Sequence, residues 1–192
     1  MRIHSMLAIA MLFLTGTVAQ AAGGTTWKAD PVHSSANFTA IHLGISHVNG
    51  VIPILSASVV VPDGSNIPSA AHASLDPSGI DTRVARRDAD LTSAHFFDVA
   101  TYPKMAFEST KIAASDATHF SATGDLTMHG QTHPVTLACE YLGRGPGMSA
   151  GELRIAYTCK TTVDRTLWGM NMYYPVVSNA IDLEIDIEGV KQ

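Results

Sequence analysis

The sequence predicts an all-β fold with one short helical insertion. From Trp27 onward, apolar and polar residues alternate with period two in segment after segment. These segments are bounded by Gly, Pro, Asn and Asp, which punctuate strands and turns. A single charged stretch, 82–94, breaks the alternation and carries good helix formers.

The elements follow in order. Ala36, Phe38, Ala40 and His42 form one face of a first strand, with Asn37, Thr39 and Ile41 on the other. Leu55, Ala57, Val59 and Val61 come next and end at the turn Pro62-Asp63-Gly64-Ser65. The helix over 82–94 has Asp81 or Thr82 as its candidate N-cap, and Tyr102-Pro103 stops anything helical beyond it. In 105–112, Met105, Phe107 and Ser109 alternate with Ala106 and Glu108. Strand 120–128 runs into His129-Gly130, a two-residue hairpin turn, and 135–142 returns. After the glycine-rich loop 143–151, Leu153, Ile155, Tyr157 and Cys159 share a face. The last strand is the clearest, with Ile181, Leu183, Ile185 and Ile187 set against Asp182, Glu184, Asp186 and Glu188. About seven or eight strands at regular spacing imply a sandwich or a barrel. A sandwich fills its middle with side chains, whereas an eight-stranded barrel can hold a small ligand.

Composition narrows the function. With 192 residues, 46% hydrophobic and 15% charged, the chain is a globular domain with a large core. Its formal net charge is −5 and no basic cluster exceeds Arg86-Arg87, so nucleic-acid binding is not expected. Residues 1–21 read as a signal peptide: Arg2, an apolar run from Met6 to Leu14, then the small-x-small Ala19-Gln20-Ala21. That run is too short to span a bilayer, so no integral membrane span is expected. The expectation is a periplasmic or secreted protein whose single domain occupies 22–192.

Export changes the reading of the two cysteines, because an oxidising compartment favours pairing. If 135–142 and 153–161 form a hairpin centred near Ser149, Cys139 and Cys159 lie opposite each other and point inward. A cross-strand disulfide then competes with two buried free thiols.

Four stretches together carry a resemblance. They are HSSANFTAIHLGISHVNG (33–50), IDTRVARRDADLTSAHFFD (80–98), YPKMAFEST (102–110) and GDLTMHGQTHPVTL (124–137). In this order and spacing the chain resembles the YceI-like family, exported lipid-binding proteins with a fold similar to lipocalins. The resemblance runs from Trp27 to the C-terminus. Ile52 departs from it by standing where an aromatic residue is usual, and Pro53 after it implies a strand that starts late or is bulged. Arg165 and Gly169 match an Arg-x-x-x-Gly pattern, with Leu167 replacing the usual acidic or polar residue between them.

The resemblance implies an eight-stranded antiparallel lipocalin-like β-barrel with a helical insertion over one opening. It implies an apolar cavity for a polyisoprenoid, an isoprenoid quinone or a fatty-acid derivative, and no enzyme activity or cofactor. The cavity would be lined by Phe38, His42, Phe96, Phe97, Leu126, Met128, Leu137, Tyr141, Tyr157 and Trp168, with His42 or Arg165 touching a polar head group. The partner is then an amphiphilic isoprenoid or acyl lipid, and two barrels could pair as a homodimer.

Other readings stay open at this level. His42 and His47 flank a glycine, and His129 and His133 flank the hairpin turn, but neither pair has a zinc spacing. His129 and His133 read as solvated turn residues. Ser35, Ser46 and Ser109 have no nucleophile-elbow context, and an enzyme would have to use His42 as a base oriented by Asp88. The run 86–90 could clamp an anionic head group or be a solvated helix face. A filled barrel acting through protein contacts is the third alternative.

Overall fold

The computed structural model describes residues 23–192, so the signal segment expected at 1–21 lies outside the described residues. Ten strand segments follow one another. They are β1 (Gly24–Ala29), β2 (Ser35–His42), β3 (Ser46–Ile52), β4 (Ile54–Pro62), β5 (Ala70–Leu75), β6 (Met105–Ala114), β7 (His119–Met128), β8 (Gln131–Pro146), β9 (Leu153–Asp164) and β10 (Val177–Lys191). Helix α1 (Ala85–Thr92) falls between β5 and β6. Every pairing is antiparallel, and the order β1-β4-β5-β6-β7-β8-β9-β10 returns to β1. The fold is a closed eight-stranded barrel.

Ten segments make eight strands because two strands are broken midway. β1 and β2 both lie along β10, Lys28 opposite Val190 and Phe38 opposite Leu183, with residues 30–34 turning aside between them. β4 runs beside β1 and β3 beside β2, with Pro53 at the break. A proline has no N–H to give a ladder, so the strand restarts after it. The restart includes a register shift between Ile54 and Ser56. This shift puts Ile54 on the interior side and leaves Leu55 52% exposed, against the simple alternation that placed Leu55 inward. β1, β3 and β5 are short and carry little alternation of their own, which is why they escape a sequence reading.

The β2–β3 turn, α1 and the β7–β8 turn all lie at one end, called upper here. There the outer edge of β3 has no full ladder. Val51 and Asp81 exchange two backbone hydrogen bonds of 2.9 and 3.0 Å, and the 76–104 segment fills the space beyond. The β7–β8 turn has positive φ at both His129 (48°) and Gly130 (69°), the geometry of a tight two-residue hairpin.

Helix α1 is shorter than the 82–94 expected from composition. Its N-cap is Val84, which makes no side-chain cap bond, rather than Asp81 or Thr82. Thr82 is instead buried and held from within the helix. Asp88 Oδ1 accepts from the Thr82 backbone N–H at 2.9 Å and from its hydroxyl at 2.5 Å. The Arg87 guanidinium donates to the Thr82 hydroxyl and carbonyl oxygens at 2.7 and 2.8 Å. Arg87 and Asp88 therefore fasten the insertion to its own entrance.

Two groups of buried side chains mark the inside. The upper one includes Ile52, Leu75, Phe96, Met105, Phe107, Leu126, Met128, Val163 and Trp168. The lower one includes Trp27, Val61, Phe120, Ala122, Ile155 and Tyr157. Two glycines let aromatic rings lie flat on the sheet between these groups. Phe38 crosses Gly50 on β3, and Phe107 crosses Gly124 on β7; a Cβ at either glycine would stand 2.4 to 2.6 Å from a ring carbon.

Candidate functional site

The inward faces do not meet in the middle. They enclose a cavity of about 930 Å³ that runs between the two buried groups. On β7 the inward residues Met128, Leu126, Ala122 and Phe120 all reach it. Eight residue steps separate Met128 from Phe120, so the cavity is on the order of 25 Å long. Space remains because several wall positions are small: Ala36, Ala40, Ala57, Ala71, Ala73 and Ala122. β10 contributes Ile181, Leu183, Ile185 and Ile187 to the same wall.

The lower end is stoppered. The Phe120 and Tyr157 rings meet edge to face at 5.8 Å. The Tyr157 hydroxyl donates to the Asn66 carbonyl oxygen at 2.8 Å. Burial pushes the Tyr157 phenol well above the usual tyrosine range, so its hydroxyl stays protonated as a donor. Arg144 lies over the buried Trp27 ring at 5.1 Å from its centroid. Cys139 and Cys159 are opposite each other across β8–β9, joined as a disulfide, and both border the cavity.

Charged groups gather at the upper end. Arg86, Arg87, Asp90 and His95 come from the helical insertion, and His42 from the last position of β2. His95 Nδ1 is 2.9 Å from Asp90 Oδ1. His42 and Asp88 share no hydrogen bond among the described residues. Asp88 Oδ1 instead accepts from the Thr82 N–H and hydroxyl.

Arg165 is 4% exposed and borders the cavity, yet its donors are directed at backbone carbonyls. Nε donates to Ser178 O at 2.9 Å, and Nη2 to Met172 O at 2.7 Å and Val177 O at 3.3 Å. Nη1 donates to Met170 O, and the guanidinium carbon lies 5.6 Å from the centroid of the Phe96 ring. The local sequence builds this. Asp164 caps a short 3-10 turn, Arg165–Trp168, by accepting from the Thr166 N–H, and Gly169 ends it in the left-handed region. Burial lowers the Arg165 pKa from its usual value. Its first task is to hold the 169–178 loop.

Of the eleven side chains expected at the cavity, nine border it: Phe38, His42, Phe96, Phe97, Leu126, Met128, Leu137, Tyr157 and Arg165. Tyr141 and Trp168 do not. Tyr141 is one turn of the pleat beyond Cys139, below the cavity floor, where its ring packs on Tyr157 at 5.8 Å. Trp168 is turned into the upper wall and is 1% exposed. Its indole N–H donates to Leu126 O at 3.1 Å, and its ring meets His133 edge-on at 5.1 Å. His129 Nδ1 reaches the Trp168 carbonyl oxygen, and Tyr102 stacks edge-on against His129 at 5.0 Å. These histidines are half-buried supports of Trp168, not solvated turn residues.

Outside the cavity, Asp30, His33 and Glu188 are close enough to share a cation. Arg154 already occupies that position, donating to Asp30 at 2.7 Å and also to Glu188 and Glu152. The guanidinium supplies the positive charge that a metal would bring.

A closed antiparallel barrel around a mostly apolar chamber, with charged groups gathered at one end, is the architecture of a lipocalin-like binding protein. The YceI-like domain model matches residues 27–189. A UPF0312 protein of Vibrio parahaemolyticus is 32% identical over 188 residues, covering 97% of this chain and 95% of its own. A UPF0312 protein of Pseudomonas putida is 31% identical over 160 residues, covering 83% and 82%. The chain belongs to the YceI-like family. Among solved structures, the Campylobacter jejuni YceI protein superposes with a TM-score of 0.69 at 24% identity, covering 79% of this chain and 90% of its own. A polyisoprenoid-binding domain from Saccharophagus degradans, implicated in plant cell wall breakdown, gives 0.58 at 11% identity, covering 88% and 100%. These likenesses support the fold, and the family points to a binding protein rather than an enzyme.

Proposed function

We propose that this protein binds one amphiphilic lipid, its chain in the barrel and its head at the upper end, and carries or sequesters it outside the cytoplasm. The observation that carries the reading is the cavity: about 930 Å³, long, and predominantly apolar, with its charged groups gathered near α1 and His42. Removing a chain from water into such a wall is worth roughly 25 cal/mol per Å². A carbohydrate or nucleotide would leave its hydroxyls or phosphates unpaired against Leu126, Leu137 and Ile185. A polyisoprenoid, an isoprenoid quinone or a fatty-acid derivative leaves only its head to satisfy. The His42 imidazole, half-buried at the top of β2, is the polar group best placed to meet it. Arg165 supports the reading differently, by holding the loop beside the head rather than by contacting it.

The test is native mass spectrometry of the protein purified from a periplasmic extract, followed by solvent extraction. A released mass of lipid size supports the proposal and identifies the ligand class. Protein that never retains a lipid, and does not take up a fluorescent fatty acid when offered one, overturns it.

A further inference from the structure

The upper rim carries apolar side chains that cover nothing. At the β2–β3 turn, Leu43 is 57% exposed and Ile45 84%. Beside that turn, the 169–177 loop presents Tyr174 at 66%, with Tyr173 and Val176 also exposed. Val84, at the start of α1, adds a third point on the rim. These segments are tied into one surface. The Leu43 N–H donates to Val176 O at 2.8 Å, and the Ile41 N–H to Ser178 Oγ at 2.9 Å. The Tyr173 ring lies 5.9 Å from Phe96. The surface is continuous with the cavity, because Ile41, Tyr173, Val84 and Val176 are exposed and also border it.

We infer that this rim is a membrane-docking surface, which sets the cavity mouth against the interface of a bilayer containing anionic phospholipid. The inference rests on the lipid-binding reading above and adds where the exchange takes place. Three observations favour a bilayer over a protein partner. The exposed apolar groups sit on turn tips around an opening, so they can enter an interface without any shape-matched surface. Two tyrosines stand among them, side chains with an apolar ring and a polar tip that suit the headgroup level. Arg83 and Arg86 flank Val84, both exposed, and neither has a carboxylate partner among the ion pairs of the described residues. They are placed to meet lipid phosphates. The nearby acids make their hydrogen bonds elsewhere than to these two guanidinium groups: Asp88 with Thr82, Asp90 with His95, and Asp81 with the backbone N–H of Arg83.

The turn chemistry agrees. Leu43 has φ 53° and Gly44 φ 72°. Asn or Asp would take the first of these positions with less strain. A leucine held there, with its side chain in water, serves neither the turn nor the core.

The test uses the chain from Gly23 onward, which contains every described strand, and two kinds of vesicle: phosphatidylcholine alone, and phosphatidylcholine with phosphatidylglycerol in equal parts. The variant is Leu43→Asn with Ile45→Ser, neither residue bordering the cavity and both substitutions compatible with the turn. Binding of a fluorescent fatty acid in solution is measured alongside. Wild type should sediment with the phosphatidylglycerol vesicles, less so in high salt. The double variant should lose at least about tenfold in vesicle affinity while keeping fatty-acid binding. Wild type that takes up the fatty acid but ignores both vesicles overturns the docking surface and leaves the binding proposal standing. Failure to bind the fatty acid, in protein that also retains no lipid on purification, overturns that proposal itself. A wild-type dimer that the double variant dissociates, with no vesicle binding, makes the rim an interface between two copies and also overturns docking.

Discussion

The Nδ1 atom of His129 lies 2.6 Å from the carbonyl oxygen of Trp168. A carbonyl only accepts, so the imidazole must carry its proton on Nδ1. The bond ties the β7–β8 turn to the segment that enters the upper loop. His129→Ala leaves a shielded carbonyl without its donor and should cost about 1–3 kcal/mol, read as a lower urea midpoint at unchanged slope. Full stability in this variant would mean that the contact is incidental.

The Cys139–Cys159 link closes a loop of sequence separation 20. By the chain-entropy argument it should add about 3 kcal/mol. Unfolding with and without reductant should show that difference, and the intact mass should be lighter by the two thiol hydrogens. A midpoint insensitive to reductant would leave the pair no stabilising role.

Cavity and plug residues should separate cleanly. Leu137→Glu places a charge on the cavity wall and should abolish lipid retention, whereas Tyr141→Ser, below the floor, should lower stability and leave retention intact. Ala73→Phe should shorten the chain the barrel accepts, because it fills space that a small side chain now leaves open. Mass spectra of the extracted lipid would report all three, and loss of lipid in Tyr141→Ser alone would refute the assignment.

Arg165→Lys should not rescue Arg165→Met. A lysine cannot reach the carbonyls of Met170, Met172, Val177 and Ser178 from one planar fork. Both variants should lose about 3 kcal/mol and expose amides 169–178 to hydrogen exchange. Protection of that loop in either variant would show that something else holds it.

Acid should loosen the barrel where β1 gives way to β2. Hydrogen bonds from His33 and Arg154 hold the Asp30 carboxyl well below the usual carboxylate range. The folded state therefore binds that proton less readily than the unfolded chain. The stability this confers is present above about pH 4 and falls as the pH drops below it. Asp30→Asn should flatten the decline in thermal midpoint between about pH 4 and pH 2. An equally steep decline in the variant would assign acid sensitivity to other carboxylates.

Much of this was legible in the sequence. Period-two faces on 120–128, 135–142 and 181–187 identify strands whose inner residues the structure places inside. His129-Gly130 reads correctly as a tight turn, and Pro53 as a strand break. What could not be read is what happens off the pattern. Leu55 faces out because a register shift after Pro53 reverses the parity of one residue, which no alternation count contains. Trp168 and Tyr141 look like wall residues by type. Their removal from the wall depends on Leu126, His133 and Tyr157, partners distant in the chain or on another strand. The small wall residues Ala57, Ala71, Ala73 and Ala122 are not legible as a cavity, because an alanine on a strand face looks the same whether space or a larger neighbour lies beyond it. The face Ile181, Leu183, Ile185 and Ile187 on β10 is legible as an inner face, but its own pattern is the same for a chamber wall and for a filled core.

The broken strands have a mechanical consequence. On its outer edge β3 is joined to the rest of the barrel by the Val51–Asp81 pair alone, among the backbone hydrogen bonds of the described residues, whereas β6 to β10 are zipped along their lengths. With breaks at 30–34 and at Pro53, β2 and β3 form a panel with a crease at its base, and parting two bonds frees its side. A local opening at this panel should therefore cost less than parting any pair of strands among β6 to β10, with the remaining walls left whole.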